Sequence, residues 1–260
     1  MRIATWNVNS LKARLGRVEE WIGYARPDVL CLQETKLADE AFPGLAIEQL
    51  GYEWAHHGDG RWNGVAILSR VGLADVVTGF DDGRDDEAAE TRAITANCGG
   101  VQVTSVYVPN GRSLDHEMYQ WKLEWLDRLH AFVDRTTTPD GKAVVCGDFN
   151  IAPTDRDVYS PKSFVGSTHV SEPERKRLDA LIEWGMVDAF REQYPDADRL
   201  YSWWDYRGGN FHKGLGMRID LVLVTKALAG SVEFALMDRN ARKGTAPSDH
   251  APVFVDLAIA

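Results

Sequence analysis

Polar side chains gather where the apolar runs of this chain stop. Asn7 follows Ile3–Trp6, Glu34 follows Val29–Gln33, Tyr107 closes Val101–Val106, and Asp148 and Asn150 follow Val144–Gly147. Asp220 interrupts Arg218-Ile-Asp-Leu-Val-Leu, and Asp249 and His250 precede the last apolar run. Any one of them reads as a turn former, because short Asn and Asp side chains bond the backbone nearby. As a set they carry chemistry: if the runs are strands paired in two sheets, their ends converge on one rim. Carboxylates with Asn, Tyr and His are hard oxygen ligands and hydrogen-bond donors, which suit Mg²⁺ or Mn²⁺ rather than Zn²⁺. A cation held by few carboxylates keeps positions open for phosphate oxygens and water, which is the requirement of a phosphoesterase. The sequence has no nucleophile elbow, no Gly-rich phosphate loop and no HExxH helix.

The elements that must position these residues are legible in outline. Nine β-type runs recur: Ile3–Trp6, Val29–Gln33, Val65–Leu68, Ile94–Asn97, Val101–Val108, Ala143–Cys146, Ile219–Val224, Val232–Met237 and Val253–Ile259. Several are near-continuously apolar, as strands buried on both faces are. Three helical patterns lie between them. Leu11, Leu15, Val18 and Ile22 form one stripe, with Ser10 as N-cap and Pro27 as stop. Asp115 caps a longer helix bearing Trp125, Leu126, Leu129 and Val133, and Ser171 with Glu174 has capping-box spacing ahead of Leu178, Leu181 and Ile182, closed by Gly185. This inventory predicts an α/β sandwich: two packed sheets with helices outside. Residues 38–63, 81–92 and 205–217 read as loops.

The 260 residues, 44% of them hydrophobic, suffice for one large domain, and no repeat or linker divides them. Whole-chain disorder is excluded, no apolar run approaches a membrane span, and the N-terminus lacks the pattern of a secretory signal. Three widely spaced cysteines (Cys31, Cys98, Cys146) argue for a reducing, cytoplasmic setting and inert core thiols. The balance of 29 Lys+Arg against 39 Asp+Glu gives −10, which argues against coating nucleic acid by bulk charge. The charge is uneven. Residues 81–90 hold six acids and one Arg, a net −5, and read as a solvated loop; residues 199–250 hold eight Lys/Arg and five acids, a net +3, and are better suited to an anionic partner.

Seven segments, Trp6-Asn7-Val8-Asn9, Leu32-Gln33-Glu34-Thr35-Lys36, Val106-Tyr107-Val108-Pro109-Asn110, Gly147-Asp148-Phe149-Asn150-Ile151-Ala152, Trp203-Trp204-Asp205-Tyr206-Arg207, Arg218-Ile219-Asp220 and Ser248-Asp249-His250-Ala251-Pro252, resemble in order those of the exonuclease III family of DNA-repair nucleases. The resemblance covers essentially the whole chain. It implies one catalytic domain over 1–260 with the DNase I-like fold, a four-layer α/β sandwich of two packed, mainly antiparallel sheets flanked by helices. It implies a Mg²⁺-dependent monomer, for which Mn²⁺ substitutes, that cuts duplex DNA 5′ to abasic sites, trims 3′ ends and removes 3′-blocking groups as a 3′-phosphodiesterase and phosphatase.

The resemblance also implies roles. Glu34 is the main metal ligand, assisted by Asp249 and Asn7. Asp148 orients or deprotonates the attacking water, Asn150 holds the scissile phosphate, Tyr107 donates to a phosphate oxygen, and Asp220 holds His250 against the phosphate. Arg112 and Arg61 meet the DNA backbone. Trp203, Met217 and Ile219 wall a pocket for the flipped abasic sugar, Met217 and Ile219 sharing one side of an extended segment. The chain departs from some relatives at Asn9, where they have Asp, and at Met217, where they have Trp. Other residues carry weaker signals. His56-His57 reads as a solvated loop, and Arg239, Arg242 and Lys243 flank the groove. One rival reading is a phosphatase or phosphodiesterase of the wider superfamily acting on a lipid or inositol phosphate; another is a DNA-binding module that has lost its site.

Overall fold

A computed structural model describes residues 1–83 and 91–259. Among the described residues, twelve strands form two six-stranded sheets. The strands are β1 (Arg2–Asn7), β2 (Val29–Gln33), β3 (Glu53–His57), β4 (Val65–Ser69), β5 (Ala74–Thr78), β6 (Ala93–Cys98), β7 (Val101–Tyr107), β8 (Ala143–Asp148), β9 (Met186–Asp188), β10 (Asp220–Thr225), β11 (Val232–Met237) and β12 (Val253–Leu257). One sheet has the order β11-β12-β1-β2-β4-β3 and the other β5-β6-β7-β8-β10-β9. Each sheet is mixed. It has one parallel pair at its centre, β1 with β2 and β7 with β8, and antiparallel pairs elsewhere.

Alternation along the central strands builds the layers. Ile3, Val29 and Cys31 join Val103, Val144, Cys146 and Val222 in a core between the sheets. Ala4, Leu30 and Leu32 point the other way, onto Val18, Trp21 and Ile22 of α1 (Leu11–Ala25). The short helix α2 (Gly44–Gln49) adds Ile47 to that layer. On the far side, Val106, Val145 and Leu221 meet Trp125, Leu126 and Leu129 of α3 (Glu117–Thr136) and Leu178 and Leu181 of α4 (Glu172–Trp184). The result is the expected four layers, and it explains why the central strands lack polar alternation: both faces are covered. Cys31, Cys98 and Cys146 are buried free thiols. Among the described residues, no helix is long and apolar enough to cross a membrane.

The structure departs from the sequence reading at the edges. β3, β5 and β9 were not among the nine expected strands, and all three are edge strands. β5 is exposed at four of its five positions and β9 has three residues, so neither needs an apolar pattern. His56 and His57 therefore lie in β3, not in a solvated loop; His56 is buried, with its ring between Thr35 Oγ1 (2.8 Å) and Asp39 Oδ1 (2.7 Å). Two caps also differ. Ser10 stands at the N-cap of α1 but makes no side-chain cap, and its N–H instead donates to Glu34 O. His116, not Asp115, caps α3 by accepting from Met118 N, while Asp115 accepts from Ser113 Oγ. The Ser171–Glu174 capping box and the Gly185 stop are as expected. Within 205–217, residues Asn210–Lys213 form a helical turn. Most of the acidic run, 84–90, lies outside the described residues.

Candidate active site

Register brings the polar strand ends together. Asn7 pairs with Gln33 across β1 and β2, which sets Glu34 one residue beyond. Tyr107 pairs with Asp148, and Asp148 pairs with Asp220, across β7, β8 and β10. One glycine permits this. Gly147 has φ +152°, and a Cβ there would stand 1.9 Å from Val106 O, inside the backbone of the neighbouring strand.

The segment leading into β12 is tied to β1. Ser248 Oγ donates to Asn7 O (2.7 Å), and Trp6 Nε1 donates to His250 O (3.1 Å). His250 is thereby wedged between two acids: Nδ1 lies 2.9 Å from Asp220 Oδ2, and Nε2 lies 3.7 Å from Asp148 Oδ2. Burial alone would depress His250, but the charges of Asp220 and Asp148 prevail and push it up to about 10, so it is an imidazolium at neutral pH. Asp148 is pushed up to about 7, first by burial and then by Asp220 and Glu34, against the pull of His250. Its oxygens accept from Asn150 N and Asn7 Nδ2, each at 2.9 Å.

Glu34 accepts from Asn7 Nδ2 (2.9 Å) and from Lys36 Nζ (2.9 Å). Burial opposes its charge, but Lys36 and the Asn7 amide hold it below its ordinary value. Asn7 thus bonds both Glu34 and Asp148 through its NH₂, while its Oδ1 accepts from Asn9 N (3.0 Å). Tyr107 is raised well above its ordinary value by burial and by Glu34, so its hydroxyl stays a donor. Asp249 accepts from Asn9 Nδ2 (3.0 Å) and Trp203 Nε1 (3.1 Å); burial opposes its charge, yet His250 and these donors keep it below its ordinary value. Ligand atoms of Glu34, Asp148 and His250 lie within 4.8 Å of one another, and Asp249 is not in that group. The donor chemistry fits a hard divalent cation at the carboxylates: Glu34, Asp148, Asp220 and Asp249 outnumber Lys36 and His250, four acids against two cations.

The residues expected to touch DNA are less uniform. Arg61 and Arg112 are exposed, and Arg112 stands at φ +59° with its N–H on Asn110 Oδ1 (3.1 Å). Met217 and Ile219 do share one side, in a small cluster with Ala152 and Val158, but they are 3% and 2% exposed. Trp203 packs partly buried against that cluster, whereas Trp204 is core. Arg239 and Arg242 are not free flanks. Arg242 is buried and donates to Ser248 O, and Arg239 lies over the Trp204 and Phe211 rings and donates to Phe211 O (3.1 Å), so both brace the loop that carries His250.

Three neighbours of the site carry no role in the sequence reading. Lys36 and Asn110 sit inside recognisable segments and were legible as part of them. His169, which contacts Asn150 Oδ1 at 3.0 Å, lies in a stretch with no pattern to mark it.

Residues 4–250 match the model of the endonuclease/exonuclease/phosphatase family. The chain is 33% identical to exodeoxyribonuclease III of Haemophilus influenzae, over 99% of this chain and 100% of that one. Its fold is similar to that of an AP endonuclease from Archaeoglobus fulgidus, at 38% identity with a TM-score of 0.95, covering 100% of both chains. It is equally similar to the 3′ phosphatase NExo from Neisseria bound to product DNA hairpin, at 38% identity and a TM-score of 0.95, again over 100% of both chains. With Glu34, Asp148, Asp220 and His250 gathered at one rim of such a sandwich, the chain belongs to the endonuclease/exonuclease/phosphatase family and, within it, to the exodeoxyribonuclease III group of phosphodiester hydrolases.

Proposed function

We propose that residues 1–260 form one catalytic domain, a monomeric Mg²⁺-dependent DNA-repair nuclease that cuts duplex DNA 5′ to abasic sites and trims 3′ ends. The observation that carries this reading is the line Asp220–His250–Asp148 beside Glu34. It sets a buried carboxylate near neutrality next to a fixed positive charge. Glu34, with Asp249 and Asn7 nearby, would hold Mg²⁺ or Mn²⁺, which polarises a phosphate oxygen and offsets charge at the reacting phosphorus. As placed, Asn7 offers the cation its NH₂, so its oxygen serves only once the amide turns.

The chain's own groups do the rest. Asp148, ionised, takes a proton from the attacking water, because its pKa near 7 makes it basic enough to compete for that proton. His250 faces the phosphate as an imidazolium and stabilises charge gathering on its oxygens, and Asp220 keeps it protonated. Tyr107 donates its hydroxyl to the same oxygens. Asn150 spends one amide hydrogen on Val108 O (2.9 Å) and has the second for the phosphate. Arg61 and Arg112 contact the backbone to either side. An abasic sugar lacks the base that fills the stack, so it flips out at lower cost than an intact nucleotide. Trp203, backed by Met217 and Ile219, walls its pocket.

The test uses end-labelled duplexes with and without an abasic analogue, in Mg²⁺ and in excess chelator. Incision 5′ to the analogue and 3′ trimming, both lost in chelator, are expected; full activity in chelator would sink the reading. The lipid- or inositol-phosphate alternative is not favoured, since the named relatives are nucleases, and it predicts phosphate release from inositol phosphates instead. The monomer is checked by analytical ultracentrifugation.

A further inference from the structure

Behind Asn150 lies a charge pair that the reaction itself does not use. Lys122 of α3 and Glu174 of α4 form an ion pair, both side chains fully buried. Such a pair gains little stability over apolar packing, so its retention points to something it holds in place. Lys122 Nζ donates to Asn150 O (2.8 Å) and to Asn110 O (3.4 Å). Glu174 Oε1 accepts from His169 N (3.0 Å), and its Oε2 accepts from Ser171 N (3.1 Å) and Ser171 Oγ. Ala152 N donates to His169 O (2.7 Å). Three loops, carrying Asn110, Asn150 and His169, are thus pinned around one ammonium and one carboxylate.

The backbone at His169 is strained. Its φ is +76°, in the left-handed region, where a residue with a side chain sits at a cost. Asn150 is also left-handed, at φ +50°. Strain of this kind persists where the surroundings over-determine it.

One tautomer of the ring ties it to Asn150. Asn150 Nδ2 donates to Val108 O, so Asn150 Oδ1 must accept. In the Nε2–H form, His169 Nε2, at 3.0 Å, donates to Asn150 Oδ1. His169 Nδ1 then has a lone pair and accepts from Thr168 Oγ1 (2.7 Å). Asn110 Nδ2, 3.1 Å from the same Nε2, finds its acceptor in Asn150 Oδ1 at 3.3 Å. Neutrality of the ring agrees with this, for burial and then the Lys122 charge push it down to about 3.

We infer that His169 is a positioning residue: as the neutral Nε2–H tautomer it locks the Asn150 amide so that the free hydrogen of Asn150 Nδ2 faces the scissile phosphate, with the Lys122–Glu174 pair holding both loops. The inference rests on the reading of Asn150 as the residue that holds that phosphate. It predicts that His169 acts only through Asn150.

The test is a double-mutant cycle in single-turnover cleavage of an end-labelled duplex in Mg²⁺, on the full chain. Asn150→Ala should lower the rate by ~10²–10³, the scale of one lost oxyanion donor. His169→Ala should lower it by about tenfold, the value of one orienting hydrogen bond, with KM nearly unmoved. In the Asn150→Ala background, His169→Ala should change the rate less than twofold. His169→Gln, whose amide N–H can reach Asn150 Oδ1, should restore most of the loss. Thr168→Val, which removes the hydroxyl facing Nδ1, should give a smaller loss of the same kind. ¹⁵N chemical shifts of the wild-type ring should report Nε2 protonated and Nδ1 bare. A full tenfold loss in the double variant, or a ring protonated at Nδ1, would overturn the inference. Should Asn150→Ala cleave at the wild-type rate, the phosphate-holding reading itself falls, and this inference with it.

Discussion

Two buried charge clusters lie two residues apart on the same segment, and they behave oppositely. Arg218 donates to Asp157 Oδ1 (2.7 Å) and Asp188 Oδ2 (2.7 Å), and Arg191 reaches Asp157 as well (2.7 Å). Two acids meet two cations, Asp157 is held below its ordinary value by Arg218, its Thr154 bond and Arg191 against the cost of burial, and Arg218 is raised by its acids. At Asp220 the arithmetic does not close. Acids outnumber cations, and the surplus appears as an Asp148 pushed up to about 7 and a His250 pushed up to about 10. Balance makes a cluster structural; imbalance, held by packing, leaves groups ready to exchange protons and bind a cation.

Substitutions that break this contrast should separate rate from stability. Asp148→Asn keeps shape and loses basicity, so kcat should fall by ~10²–10⁴ while DNA affinity and the urea midpoint stay near wild type. A variant that unfolds, or one that retains kcat, would erase the distinction. Arg218→Met should do the reverse. It leaves Asp188 without its guanidinium and Asp157 with Arg191 alone, so unfolding free energy should drop by about 3–5 kcal/mol, the scale for removing one partner of a buried pair, measured by urea titration. Any loss of kcat below that midpoint should be minor. Glu34→Gln removes one carboxylate charge and should raise the Mg²⁺ concentration needed for half-maximal rate by about tenfold or more, read from metal titrations. An unchanged requirement would move the cation away from Glu34.

The pH dependences sharpen the contrast further, with opposite signs. Activity needs Asp148 ionised and His250 charged, so the rate should fall as pH drops through about 7 and again as it rises through about 10. For stability, the raised His250 contributes fully below its ordinary value near 6.5 and loses that contribution as pH climbs through about 10. Asp157, lowered when folded, contributes above its ordinary value near 4 and loses it as pH falls toward the folded value. His250→Gln should therefore flatten the alkaline side of the stability curve, and Asp157→Asn the acid side, checked by urea midpoints across pH. Crossed assignments would refute the division. Trp203→Ala is the mildest case: abasic incision should fall more than melting temperature, and equal losses on abasic and intact 3′-recessed duplexes would remove the pocket.

The site was legible because its chemistry sits at strand ends inside collinear segments. The central strands were legible because covered faces demand apolar runs. What escaped did so for physical reasons. β5 and β9 border solvent and are free of such demands, and β3, also at an edge, buries only Ala55 and His56, one of them polar. Asp115 has the right type for a cap, but a closer partner, Ser113, takes it. Arg242 is a cation in a basic stretch, yet it turns inward to hold Ser248 O, which only tertiary structure decides. His169 has no signal of any period, since its value depends on a loop folding over Asn150.

The first and last long strands are neighbours: β1 pairs with β12 from Arg2↔Asp256 to Thr5↔Val253, and Met1 N reaches Leu257 O at 2.7 Å. Translation delivers these partners about 250 residues apart. At about 5–20 residues per second, Asn7 waits on the order of ten seconds or more for His250 to emerge. Until then the nascent chain carries Glu34 and Asp148 but lacks the imidazolium that pairs with Asp148 and Asp220. The site is therefore completed only when the segment carrying His250 comes to lie beside β1, so the geometry that forms last is also the one that pairs Asp148 and Asp220 with their cation.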